Sequence, residues 1–481
     1  VSPGTTYGDF EFIVVSNRLP VDRVNDDDGG NGTWRRSPGG LVTALAPVME
    51  KADGAWVGWH GAPDEVLEPF EHGDMHLVPV PLDPNEVEFY YEGFSNATLW
   101  PLYHDVIAPP EFHRHWWDSY RKVNERFAEA TAAVASKGAT IWVQDYQLQL
   151  VPKLLRAARP DLKIGFFNHI PFPPLEIYAQ LPWRRQVIEG LLGADLIGFQ
   201  RPSDASNFLR CVRRFVGFSV RQQQVHVQYD NSAPGHVSRA EAFPISIDVQ
   251  RITDLANRPD IIERSKEIRR ELGNPKHILL GVDRLDYTKG IGHRLKAYEE
   301  LLADGKVKVE DAALIQVASP SRERVEQYRL LREEVEGAVG RINGTYDTIK
   351  NTAIRYLHHS YPVEEMVALY LASDVMLVTA LRDGMNLVAK EYVAARTGNR
   401  GALVLSEFAG AADTLRQAVL VNPHDIDGLK EAIVTALDMS PAEATRRMRI
   451  MRRQVLQNDV ERWSKSFLSE LQNGVKEDAL V

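Results

Sequence analysis

Lys163-Ile-Gly-Phe-Phe167 is a short apolar run that stops abruptly at a polar pair, Asn168-His169. A run of this length, too short for an ordinary helix and rich in aromatic and β-branched residues, reads as a strand buried on both faces. The same signature stands at Phe12-Ile-Val-Val15, Ala139-Thr-Ile-Trp-Val143 and Leu196-Ile-Gly-Phe199. The second half repeats it at His277-Ile-Leu-Leu-Gly-Val282, Ala313-Leu-Ile-Gln-Val317, Ile354-Arg-Tyr-Leu357, Val375-Met-Leu-Val378 and Ala402-Leu-Val-Leu405. Turn residues or helical patterns separate these runs. Strands covered on both faces belong to parallel sheets under helices, so the expected fold class is α/β with two Rossmann-like halves.

The chain's 481 residues exceed one ordinary core and call for two large domains. The join is expected near Pro244-Ile-Ser-Ile-Asp248, after the turn-rich stretch 229–235 and before a charged helix over 262–272. This predicts domains over 1–245 and 246–459. Ligands of such folds collect at the carboxyl ends of the strands.

Lys+Arg 56 against Asp+Glu 66 leaves a net charge of −10, which offers no basic field for nucleic acid. The single cysteine, Cys211, permits no internal disulfide and is expected at a half-buried helix position. No apolar stretch approaches the roughly 18 residues of a membrane span, and residues 1–9 lack the pattern of a signal peptide, so a cytoplasmic protein without membrane partners is expected.

Several strands end in residues suited to anions and sugars. The first runs into Ser16-Asn-Arg-Leu-Pro20, which points the permanent cation of Arg18 into a crevice; an ordinary salt bridge explains it equally well. Ser37-Pro-Gly-Gly-Leu41 places glycines, Gly40 among them, before a helix, where backbone N–H groups can approach an anion. The stretch 90–104, with Tyr91 and Trp100, and Trp56-Val-Gly-Trp-His-Gly61, with Trp59, mix aromatic faces with polar rims, which suits a carbohydrate. Asp145 and His169 each follow an apolar strand directly.

In Gly281-Val-Asp-Arg-Leu-Asp-Tyr-Thr-Lys-Gly290, Arg284 and Lys289 could neutralise a diphosphate, unless the neighbouring Asp283 and Asp286 simply quench them. Arg382-Asp-Gly-Met-Asn-Leu-Val-Ala-Lys-Glu391 is the strongest signal. Asp383 can accept from sugar hydroxyls, the amides of Met385, Asn386, Leu387 and Val388 can face a phosphate, and Glu391, about two helical turns on, can grip ribose hydroxyls. Acidic and histidine pairs occur without further ligands at metal-binding spacing, so no metal and no cofactor are assigned.

Taken in order, Ser16-Asn-Arg-Leu-Pro20, Asn96-Ala-Thr-Leu-Trp-Pro101, His169-Ile-Pro-Phe-Pro173, Asp283-Arg-Leu-Asp-Tyr-Thr-Lys-Gly290 and Asp383-Gly-Met-Asn-Leu-Val388 resemble the trehalose-6-phosphate synthase family of retaining glucosyltransferases. The resemblance implies a GT-B fold of two Rossmann-like parallel-sheet domains facing a central cleft. It also implies a C-terminal helix, about 460–481, that crosses back to the first domain, and a homo-oligomer. It puts Arg18, Trp59, Tyr91, Trp100 and Arg322 in a glucose 6-phosphate pocket, with Arg18, Tyr91 and Arg322 on the phosphate. Asp145 would orient the acceptor's hydroxyls. Gly40, His169, Arg284, Lys289, Asp383, Gly384, the amides of Met385 to Val388 and Glu391 would hold a nucleoside-diphosphate glucose, UDP- or ADP-glucose among the candidates, with Asp145, His169, Arg284 and Lys289 forming the catalytic set. Gln147 stands where many members carry histidine, and no phosphatase signature follows.

The activity implied is glucosyl transfer to glucose 6-phosphate with retention, giving α,α-trehalose 6-phosphate by front-face attack. Two alternatives remain open: a related transferase using another phosphorylated acceptor, such as glycerol 3-phosphate, and a non-catalytic sugar-phosphate sensor. A nicotinamide dehydrogenase is disfavoured, because no glycine fingerprint follows the first strand.

Overall fold

The computed structural model describes residues 8–24, 33–37, 42, 45, 48, 49, 53–229 and 235–474. The chain divides into two compact units, one formed by the residues up to Pro244 together with those from Glu461 onward, the other by Ile245–Val460.

In the first unit the strands are β1 (Phe10–Arg18), β2 (Val21–Val24), β3 (Thr33–Arg36), β4 (Ala55–Trp59), β5 (Phe70–His72), β6 (Met75–Pro79), β7 (Ala135–Gln144), β8 (Lys163–Phe167), β9 (Leu196–Phe199), β10 (Ser219–Arg221), β11 (Gln224–Val227) and β12 (His236–Ala242). Ten of them form one sheet in the order β10-β11-β12-β9-β8-β7-β1-β4-β6-β5, while β2 and β3 pair as a separate ribbon. The interior strands run parallel and only the two edges are antiparallel. The centre is as apolar as the sequence requires: Ile13 to Val15, Ile141 to Val143 and Ile164 to Phe167 are buried.

The winding reverses between β1 and β7, because the chain builds outward through β4 and β6 and then returns to the other side of β1. Loops at such a reversal part from each other and leave a crevice at the carboxyl ends of the strands. Arg18 ends β1 and Asp145 follows β7.

The helix Val460–Asn473 closes one face of this sheet. Phe467 is fully buried and stacks on Trp142 with ring centroids 4.6 Å apart, and Trp463 Nε1 donates to the Phe243 carbonyl at 3.1 Å. The glycines of the two Ile-Gly-Phe strands make this approach possible: a Cβ on Gly165 or on Gly198 would stand 2.8 Å from the Phe467 ring. Cys211 lies in the helix Pro202–Cys211 and is fully buried rather than half-buried. The neighbouring arginines face outward while its small thiol packs inside, and burial pushes that thiol up to about 12.

The second unit holds β13 (His277–Arg284), β14 (Ala312–Ser319), β15 (Ile354–Leu357), β16 (Val375–Val378), β17 (Ala402–Ser406) and β18 (Val419–Val421), all parallel in the order β15-β14-β13-β16-β17-β18. Leu279, Leu314, Leu377 and Val404 meet helix residues such as Leu295 and Leu301 in one core. The reversal here falls between β13 and β16, which puts the loop after Arg284 beside the loop after Val378. In each unit the loops at the reversal are the segments whose sequences stood out. No helix among the described residues is long and apolar enough to cross a membrane.

Candidate active site

In the first unit a cavity of about 400 Å³ opens at the reversal, and Asn17, Arg18, Tyr91, Asp145 and Gln147 are among its lining residues. The end of β1 is held by Ser16, whose hydroxyl donates to the Arg18 carbonyl at 2.6 Å and accepts from Trp56 Nε1 at 2.7 Å. The Arg18 guanidinium lies over Trp59, 5.3 Å from the ring centroid, and pairs with Asp22 at 3.2 Å. Gly61 clears its seat: at φ 103° it takes a conformation other residues avoid, and a Cβ there would come within 2.3 Å of the guanidinium. Beside Tyr91, the buried Tyr90 hydroxyl donates to Asn17 Oδ1 at 2.7 Å, fixing this part of the wall.

Asp145 has φ 75° and ψ 171°, a region almost reserved for glycine, at a cost of roughly 1–3 kcal/mol. Strain of this kind persists only where the surroundings enforce it. Here the Asp145 N–H donates to the Phe167 carbonyl at 2.8 Å and its Oδ1 accepts from the His169 N–H at 3.1 Å, which ties the ends of β7 and β8 together. The His169 ring places Nε2 2.8 Å from Gln144 Oε1, and burial lowers its pKa to about 3, so the imidazole is neutral near neutrality. A neutral ring offers one donor and one acceptor and no positive charge.

Packing takes most of the aromatic stretch 90–104. Tyr90, Tyr103 and His104 are core side chains, and Trp100 is buried against His104, with centroids 4.2 Å apart. Neither Trp100 nor Trp59 is among the residues lining the cavity, and only Tyr91 of that stretch is. Gly40 lies outside the described residues.

The loops at the second unit's reversal are charged. Lys289 Nζ stands 2.6 Å from Asp383 Oδ2, with both side chains largely hidden. Asp383 also accepts from Asn386 Nδ2 at 3.2 Å and from the Met385 N–H at 3.3 Å. Gly290 adopts φ 63°, and a Cβ there would stand 2.1 Å from the Thr379 carbonyl; Thr379 Oγ1 lies 3.1 Å from the Gly290 carbonyl. These contacts lock the loop after β13 to the loop after β16.

The helix begins at Leu387, within the 385–388 span whose amides were expected at its start, because Asn386 at φ 76° caps it and accepts from the Ala389 N–H at 3.0 Å. Met385's amide is engaged by Asp383, which leaves the first-turn amides of Leu387 and Val388 as those directed out of the helix end. Glu391 sits in the second turn of the helix. Its Oε2 accepts from the Tyr370 hydroxyl at 2.7 Å, and burial raises its pKa against that hydrogen bond.

Asp286 carries more of the arrangement than its place in the sequence suggests. It is completely buried, yet Arg322, Arg284 and Lys289 hold its carboxyl well below the usual carboxylate range against the opposing pull of burial. Arg322, on the loop after β14 at φ 48°, has its guanidinium 3.4 Å from Asp286 and shares that carboxylate with Tyr328. It belongs to the second unit, whereas Arg18 and Tyr91 belong to the first. Residues that the sequence reading missed act mainly through others: Gly61 on Arg18, Gln144 on His169, Tyr370 on Glu391 and Tyr328 on Arg322. The only advance signal was their nearness to quoted motifs, as with Gly61 and Gln144.

Comparison with known proteins is consistent over the whole length. The glycosyltransferase family 20 model matches residues 10–473. The trehalose-6-phosphate synthase of Mycobacterium avium (strain 104) is 56% identical over 477 residues, covering 98% of this chain and 97% of that protein. That of Mycobacterium tuberculosis (strain CDC 1551 / Oshkosh) is likewise 56% identical, covering 97% and 95%. Among solved structures, an α,α-trehalose-phosphate synthase (UDP-forming) from Burkholderia xenovorans in complex with glucose-6-phosphate superposes with a TM-score of 0.86 at 36% identity, covering 96% of this chain and 100% of that one. An E. coli structure bound with UDP-2-fluoro glucose gives 0.87 at 35% identity, covering 96% and 99%.

Proposed function

The chain belongs to glycosyltransferase family 20 and has the GT-B fold, and from that premise we propose that it transfers glucose from a nucleoside-diphosphate glucose to glucose 6-phosphate, giving α,α-trehalose 6-phosphate. What supports the proposal is that the two units are differently equipped. The first has a cation, a phenol and a strained carboxylate around a cavity of about 400 Å³, the size of a sugar phosphate. The second has Arg284, Lys289 and the open amides of a helix start, the equipment for a diphosphate.

In this reading Arg18 and Tyr91 take the acceptor phosphate with Arg322, and Asp145 accepts from the acceptor's hydroxyls. Arg284 and Lys289 take the donor diphosphate. Asp383 exchanges its lysine for a sugar hydroxyl, and Glu391 accepts from the ribose. The neutral His169 donates or accepts a hydrogen bond at the transferred sugar without adding charge that would oppose its developing positive character.

The bond between glucosyl C1 and the diphosphate oxygen breaks first, and its electron pair stays on the diphosphate. The acceptor's C1 hydroxyl then attacks from the same face and gives its proton to the departing phosphate oxygen, so configuration is retained. Fixed positive groups aimed at the leaving group are worth most where they cost no reorganisation during the reaction. UDP-glucose is favoured as donor, because relatives of this fold are named UDP-forming and one is bound with UDP-2-fluoro glucose. The test is nucleotide release from UDP-, ADP- and GDP-glucose with and without glucose 6-phosphate. Release that depends on glucose 6-phosphate and is fastest with UDP-glucose supports the proposal. Equal release without acceptor, or release only with glycerol 3-phosphate, overturns it.

A further inference from the structure

The two oxygens of Asp286 have separate duties. Oδ1 accepts from the Thr288 N–H at 2.9 Å and from the Thr288 hydroxyl at 2.8 Å, which fixes the turn leading to Lys289. Oδ2 faces Arg322 at 3.4 Å, Arg284 at 3.8 Å and the Tyr328 hydroxyl at 3.0 Å. Tyr328 in turn accepts from the Arg322 guanidinium. Asp286 is completely inaccessible, Arg322 nearly so, and Arg284 is 44% exposed. One hidden oxygen therefore braces two guanidinium groups that come from different elements, one from the end of β13 and one from the loop after β14.

We propose that Asp286 is a positioning residue for both substrates at once: it touches neither, yet it sets the guanidinium that meets the donor diphosphate and the one that meets the acceptor phosphate. This rests on the assignment of Arg284 to the donor and Arg322 to the acceptor. The physical reason for a carboxylate here is the separation of the two cations. Two arginines converging on bound phosphates repel each other, and long flexible side chains would splay without a shared counter-ion. A neutral amide of the same shape keeps the packing but removes the charge that draws both groups to one point.

The experiment is a double-mutant cycle read by calorimetric binding of UDP and, separately, of glucose 6-phosphate to the full chain. Asp286→Asn is expected to weaken both ligands: glucose 6-phosphate by about tenfold or more, as loss of the charged hydrogen bond to Arg322 implies, and UDP by a smaller factor, because Arg284 faces Oδ2 at 3.8 Å and is partly exposed. In an Arg284→Ala background the same change should affect UDP much less, the remainder acting through the turn that carries Lys289, and in an Arg322→Ala background it should no longer affect glucose 6-phosphate. A residue that merely supports the fold would give additive losses in both backgrounds, and that result overturns the proposal, as does unchanged affinity for either ligand in Asp286→Asn. If Asp286→Asn does not fold, Tyr328→Phe replaces it in the cycle. That variant is expected to weaken glucose 6-phosphate alone and only where Arg322 is present; additive or equal losses count against the proposal. If Arg322→Ala alone leaves glucose 6-phosphate binding intact, the assignment of Arg322 fails, a result distinct from failure of the brace.

Discussion

Lys289 and Asp383 meet at 2.6 Å and join the loop after β13 to the loop after β16. Each side chain is little exposed, 12% for the lysine and 13% for the aspartate, so the pair is shielded from bulk water on most sides. Breaking a pair in such a setting leaves the remaining charge poorly solvated, which is why each partner's removal has its own signature.

Lys289→Met should weaken UDP binding by at least about tenfold, since a charge-assisted contact to phosphate is worth roughly 1.5–3 kcal/mol. Asp383→Asn should spare the lysine's charge and instead lower turnover with the glucose donor. UDP calorimetry and initial rates separate the two. Equal effects of both substitutions on UDP would contradict the division of roles.

Gly61→Ala places a methyl 2.3 Å from the Arg18 guanidinium in a backbone conformation that disfavours any side chain. The strain is expected to cost about 1–3 kcal/mol of stability. The KM for glucose 6-phosphate should rise while that for the donor stays near its original value. A change confined to melting temperature would show that Arg18 does not meet the acceptor.

His169 has its pKa depressed to about 3 by burial, against 6.5 for an ordinary imidazole. Between those values the unfolded chain takes up a proton that the folded one refuses. The contribution of His169 is therefore undisturbed above about pH 6.5, and stability falls as pH drops toward 3. Urea titrations from pH 7 to pH 4 should show this slope flattened in His169→Asn. The turnover profile should carry no His169 inflection between pH 5 and 8; an inflection that disappears in His169→Asn would contradict a neutral ring.

Phe467→Ala removes a fully buried ring from the face of Trp142 and should destabilise the first unit by about 3–5 kcal/mol. Near-ultraviolet circular dichroism of the stacked tryptophan reports the transition. Gly165→Ala, whose Cβ would press on the same ring, should destabilise in the wild-type background and much less beside Phe467→Ala. Equal losses in both backgrounds would separate the glycine from the ring.

The strands were readable because short, mostly apolar runs between turns fit little else: Lys163–Phe167, Leu196–Phe199 and Val375–Val378, buried along most of their length, and the edge strand Ile354–Leu357 span the same residues as sequence runs and as strands. The edge strands Ser219–Arg221 and Gln224–Val227 were not, since short, half-exposed segments carry little hydrophobic pattern. At the site, the positions that end strands could be named, and Arg18, Tyr91 and Asp145 share one cavity. What pairing would do to them could not. That Lys289 lies against Asp383 and Arg322 against Asp286 depends on loops 94 and 36 residues apart, respectively. The start of the helix at Leu387 turned on the left-handed backbone of Asn386, which no periodicity announces. Trp100 and its neighbours looked like a sugar platform because aromatic rings read alike whether they face a ligand or a core.

The proposed mechanism places most of the acceleration in fixed positive charge on the departing diphosphate. Turnover of Arg284→Ala with UDP-glucose and saturating glucose 6-phosphate tests this most directly. The expected result is a fall in kcat of about 10²–10³-fold, as for removal of one group that stabilises developing charge, with the KM for glucose 6-phosphate little changed. Wild-type turnover in that variant would contradict it.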